Sequence, residues 1–126
     1  MRGIISTKMA RRSKSPLSQA VTTDALVFVS GQLGGPADGG PLAGSVEEQT
    51  RLSLENIRAI LEEAGCSMGD IVKTTVFVKN IEDVPRINPI YAEFFESDPP
   101  ARSAVAVADL AGKAEVEIEA IAVLRS

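Results

Sequence analysis

The chain has 126 residues, 17 acidic and 13 basic, giving a net charge of −4 and a pI near 4.8. That length suits one domain with one core, so residues 1–126 are read as a single unit, and the acidic balance argues against a nucleic-acid partner. Histidine is absent and Cys66 is the only cysteine, which removes Ser-His-Asp and Cys-His machinery, His or thiolate metal sites and any intrachain disulfide.

In chain order, Arg2–Thr7 reads as a short first strand. The opening MRGIISTKMARRSK lacks the apolar core of a signal peptide, and no apolar run is long enough to cross a membrane. The expectation is a cytoplasmic protein. SQAVTTDALVFVSGQ reads as two strands joined at Thr23-Asp24, the second, Ala25–Ser30, apolar on both faces and therefore central. Leu33–Gly44 holds too many Gly and Pro residues for regular structure and reads as a loop, with no lysine placed to make a phosphate cradle.

Ser45-Val46-Glu47-Glu48 opens a helix through a capping box. Leu54, Ile57, Ile60, Leu61 and Ala64 form its apolar stripe, Arg51, Glu55, Arg58 and Glu62 its wet side, and Gly65 its stop. Asp70–Asn80 is dense in β-branched residues and reads as a long strand. Pro85–Phe95 reads as a shorter helix ended by ESDPP. Arg102–Ala108 and Glu115–Leu124 read as two further strands joined across DLAGKA.

Two helices against about six strands cover one face of a sheet, yet two strands are apolar on both faces. The expectation is an α+β subunit whose second sheet face packs against neighbouring copies in a homo-oligomer.

The chemistry is sought where charge meets apolar strand. Arg102 stands at the mouth of an Ala-Val run, and a desolvated guanidinium needs a partner. In the last strand the even positions are apolar, while the odd positions change from Glu115, Glu117 and Glu119 to Ile121 and Val123. That places Glu119 at a boundary where pKa tuning is expected. A hairpin centred near Ala111-Gly112 would pair Ala104 with Glu119 and Arg102 with Ile121, making Arg102 and Glu119 diagonal neighbours. One reading is a structural ion pair that fixes strand register. The other has Arg102 hold a substrate carboxylate while Glu119 activates water. Arg11, Arg12 and Lys14 read as a solvated loop or as a basic rim facing an anionic substrate. Cys66 reads as an ordinary thiol and Tyr91 as core.

SGQL (30–33), GDIVKTTVFVKNIEDV (69–84), IN..YAEFF (87–95), PARS.V.V..L (100–110) and VEIEAIAV (116–123) together resemble the RidA/YjgF family of reactive-intermediate deaminases. The resemblance implies a chorismate-mutase-like subunit: a six-stranded mixed sheet, two helices on one face, and a homotrimer with clefts between subunits. It implies hydrolysis of enamines and imines such as 2-aminoacrylate to a 2-keto acid and ammonia, acting on a small carboxylate substrate without metal or organic cofactor. It places the carboxylate-binding arginine at Arg102, the water-positioning glutamate at Glu119, backbone contacts at Gly31 and Ala104, and a polar neighbour at Asn88. Two positions depart from the pattern: Leu17 stands where the family carries a tyrosine, and Ala104 where it carries a cysteine. A non-catalytic trimer binding keto or amino acids, and the ribonuclease or translation-inhibitor role also attached to the family, are the alternatives.

Overall fold

In a computed structural model, which describes residues 1–125, the strands are β1 (Gly3–Ile5), β2 (Ala20–Thr22), β3 (Leu26–Leu33), β4 (Ile71–Val78), β5 (Ala101–Ala106) and β6 (Val116–Val123). The helices are α1 (Val46–Glu63) and α2 (Val84–Glu93), with short 3-10 turns at Met68–Asp70, Ile81–Asp83 and Ala111–Lys113. The strands form one mixed sheet in the order β1-β2-β3-β6-β4-β5, with β4 and β5 parallel and the other pairs antiparallel. No helix among the described residues is long and apolar enough to cross a membrane.

The expected hairpin between the last two strands does not form, because β4 lies between them. Strand β5 leaves α2 and runs parallel to β4, pairing Arg102 with Thr74, while β6 crosses to the other side of β4, pairing Thr74 with Ala120 and Thr75 with Glu119. β6 thereby takes the sheet centre and β5 becomes an edge. Most of β5 is exposed, including Val105, so its Ala-Val run is not buried within one chain.

Ser45 caps α1 as expected: its hydroxyl accepts from the Glu48 N–H at 3.1 Å. The Glu48 carboxylate, however, lies 3.8 Å from Arg51. The helix ends at Ala64, and Gly65 takes a φ of 78°, a left-handed conformation suited to glycine. Leu54, Ile57, Ile60 and Leu61 point into a core shared with Val27, Val29, Val116 and Ile118, joined by Ile87 and Tyr91 of α2. Each such aliphatic side chain contributes about 1.5–3 kcal/mol by leaving water. Both helices cover the same sheet face, as the even positions of β6 require.

The buried side of α1 also carries a polar row. Ser53 donates to the Gln32 carbonyl at 2.8 Å, and Asn56 donates to the carbonyls of Leu33 and Gly35 at 3.3 and 3.0 Å. Gln49 donates to the Ala43 carbonyl and accepts from the Glu115 N–H, both at 2.8 Å. These bonds tie the end of β3, the glycine-rich loop and the start of β6 to one helix.

Candidate active site

The β3–β6 register shifts between Val29 and Gln32, leaving Ser30 and Gly31 without partner residues on β6. Such a bulge redirects the strand and commonly marks a working surface. A Cβ at Gly31 would overlap the Glu117 carboxylate, so glycine is what allows an acidic side chain to lie against this backbone. Glu117 is half-buried, and desolvation, followed by the nearby charge of Glu119, raises its pKa above the ordinary carboxylate value. Glu117, Gly31 and Leu17 line a cavity of about 390 Å³, with Arg11, Arg12 and Lys14 on its wall.

The wall is fixed by buried amides. Gln19 accepts from the Thr7 N–H at 2.7 Å and donates to the carbonyls of Thr7, Ala10 and Arg11 at 3.2, 3.4 and 3.2 Å. Arg11 anchors the facing loop by donating to the Pro36 and Gly40 carbonyls at 3.3 and 2.6 Å. The segment carrying Leu17 is thus held without regular secondary structure.

Arg102 lies elsewhere. Its Nη1 donates to Asn88 Oδ1 at 2.8 Å, and its guanidinium carbon sits 4.9 Å from the centre of the Tyr91 ring. Tyr91 is buried, its hydroxyl 2.7 Å from that of Thr74, and burial raises its pKa. The expectation that Tyr91 is core holds, and it also serves as the platform for Arg102. Arg102 shares a row with Thr74 and Ala120 on the helix-covered face, whereas Glu119 shares a row with Thr75 and Ser103 on the opposite face. Arg102 and Glu119 are therefore not diagonal neighbours, and no ion pair joins them. Ala104, beside Val76, also packs on the helix side. One subunit brings Leu17 to Gly31 and Asn88 to Arg102, but does not bring the two groups together.

The match to the endoribonuclease L-PSP family model runs from residue 7 to 124. The chain belongs to that family. The L-PSP relatives include a 2-iminobutanoate/2-iminopropanoate deaminase of Bos taurus, 45% identical over 124 residues, covering 98% of this chain and 90% of that protein. The crystal structure of E. coli TdcF with bound serine matches with a TM-score of 0.93 at 43% identity, covering 98% of this chain and 99% of that one. The E. coli YjgF gene product matches with a TM-score of 0.93 at 42% identity, over the same shares of the two chains. The six-stranded sheet with two helices is the L-PSP subunit fold, and the RidA/YjgF resemblance holds along the chain.

Within this L-PSP chain, Glu117 is the acidic residue that the sequence reading passed over in favour of Glu119. Both carboxylates lie on the same face of β6, but Glu119 is exposed and does not line the cavity. A signal was available in Gly31, since glycine inside a strand marks a close approach. The approaching group is identified only by the β3–β6 pairing, which sets Leu33 against Glu117. A second cavity, of about 420 Å³, lies beside Arg58, Phe94 and Asp98 and contains none of the expected site residues. Among the described residues no cluster of His, Cys, Asp and Glu is placed to hold a metal ion.

Proposed function

We propose that this protein hydrolyses 2-imino acids, and the enamines that tautomerise to them, to 2-keto acids and ammonia. Glu117 handles the water and Arg102 receives the substrate carboxylate. The observation that carries this reading is the half-buried Glu117 carboxylate packed on Gly31 in a cavity. It is supported by 45% identity to a deaminase of such imines and by the serine held in TdcF, an amino acid of similar size and charge.

A protonated imine carbon is already electrophilic, so the protein mainly has to orient the substrate and activate one water. Water adds to that carbon as Glu117 accepts one of its protons. Glu117 returns that proton to nitrogen, and the carbon–nitrogen bond breaks as the new hydroxyl gives its own proton back to Glu117, releasing ammonia and leaving the keto acid. A raised pKa makes Glu117 better suited to these transfers. Arg102 offers a planar fork to the carboxylate, and Asn88 and Tyr91 restrict its motion. Gly31 and Ala104 supply backbone contacts in this scheme, and Leu17 forms an apolar wall.

Arg102 and Glu117 occupy opposite sheet faces, so a complete site requires a second copy. We propose a homotrimer in which β5 of one subunit carries Arg102 to the Glu117 cavity of the next. Phe28, Val105 and Val123 are 42%, 44% and 45% exposed on the face that carries Glu117, and association would cover them. A lone thiol suits a cytoplasmic setting.

The test is keto-acid formation from 2-iminobutanoate generated in situ, with the mass of the assembly measured by light scattering. A rate above background that is lost in Glu117→Gln, in a protein of three times the chain mass, is the expected result. A ligand-binding trimer without turnover would overturn the deaminase reading.

A further inference from the structure

The L-PSP cavity around Glu117 is electropositive in a chain whose net charge is −4. Arg11, Arg12 and Lys14 all line it. Arg11 spends its guanidinium on the neutral carbonyls of Pro36 and Gly40, so its charge is not cancelled. Among the described residues none of the three cations has an acidic partner, although Arg51, Arg86 and Arg125 each do. Among the described residues Glu117 is the only carboxylate on the cavity wall.

In a single subunit the cavity measures about 390 Å³, to be shared in the assembly between the Arg102-bearing strand of the next subunit and the substrate. Leu17 is 51% exposed and adds an apolar side chain to the cavity that Glu117 and the three cations line. With the substrate's first carboxylate on Arg102 and its imine carbon at Glu117, the remaining group extends into this space.

We infer that the cavity selects imines of dicarboxylic amino acids, with Arg12 and Lys14 receiving the second carboxylate and Arg11 holding the loop that faces them. This inference rests on the deaminase reading for the reaction itself, but not for recognition of the dicarboxylate. The reaction remains a hydrolysis: one water is consumed, the carbon–nitrogen bond breaks, and a keto dicarboxylate and ammonia leave.

The test compares kcat/KM for 2-iminoglutarate and 2-iminobutanoate, both generated in situ by an amino-acid oxidase, with background hydrolysis subtracted. In parallel, binding of 2-oxoglutarate and 2-oxobutanoate is measured by calorimetry. The unmodified protein is expected to favour the dicarboxylate in both assays, and the ratio is expected to fall about tenfold in the Arg12→Ala/Lys14→Ala variant. It should also fall with added salt, as exposed charge recognition does. Lys79→Ala, a cation paired with Asp109 away from the cavity, should leave the ratio unchanged. A ratio at or below one, or one indifferent to the double substitution, overturns the inference while turnover of 2-iminobutanoate leaves the deaminase reading standing. Absence of turnover with tight, Arg12- and Lys14-dependent binding of 2-oxoglutarate does the reverse. Neither turnover nor preferential binding removes both.

Discussion

Glu117 and Arg102 belong to the same sheet but are held by different means. Glu117 sits on a central strand, and its surroundings come from distant parts of the chain: the bulge at Gly31, the loop carrying Leu17 and the basic wall. Arg102 sits on an edge strand and is oriented by its near neighbours in α2, Asn88 and Tyr91. Partial burial raises the pKa of Glu117, while Arg102 is left at an edge where another molecule can meet it. In the proposed reaction the difference separates two tasks. Proton transfer benefits from low local polarity, whereas carboxylate capture needs a directed donor fork open to the incoming ligand.

The strongest way to break this comparison is to remove the carboxylate. Glu117→Gln is expected to lower kcat/KM for imine hydrolysis by about 10²–10⁴-fold, the usual range for a positioned acid or base, while Glu119→Gln stays within about threefold. Equal losses in the two variants would show that the cavity does not single out Glu117. Gly31→Ala attacks the same half through the backbone. Its methyl group must displace the Glu117 carboxylate, so a loss of about tenfold or more, mostly in kcat, is expected from one misplaced group.

On the Arg102 half the loss should appear in KM. Arg102→Ala is expected to raise KM about 10–100-fold, as loss of a charge-assisted pair does. Asn88→Ala, which frees the guanidinium without removing it, should raise KM only a few fold. A purely structural role for Arg102 would instead move thermal stability with KM unchanged.

The smallest effect expected is on pH dependence. Burial first, and Glu119 second, raise the Glu117 pKa. The rate limb that reports ionisation of Glu117 should therefore lie above the ordinary carboxylate range, and Glu119→Gln should move it down. Stability has a definite sign. With its folded pKa raised, Glu117 favours the native state when protonated, and this contribution is lost as pH climbs from the ordinary carboxylate value through the raised one. Glu117→Gln should relieve that loss, giving a midpoint of unfolding less sensitive to pH across the window.

Much of the fold was legible because its signals are local. Ser45, the stripe from Leu54 to Leu61 and Gly65 define α1 without reference to the rest of the molecule. The β-branched run of Ile71–Val78 and the alternation in β6 do the same for their strands. The polar row Gln49, Ser53 and Asn56 on α1 was not legible, because its partners are backbone carbonyls and an N–H on remote segments.

By itself, the sequence determined the elements, the two-helix coverage of one sheet face, the absence of histidine chemistry and the position of Arg102 as a charge at a strand mouth. Only the tertiary structure decided which carboxylate enters the cavity. Strand order is non-local: placing β4 between β5 and β6 put Arg102 on the helix side and the glutamates of β6 on the other. Side-chain direction alternates residue by residue along a strand, so a correct list of strands with one wrong neighbour misassigns the site. The cavity beside Gly31 is then lined by Glu117 and not by Glu119, two residues with the same chemistry and the same face.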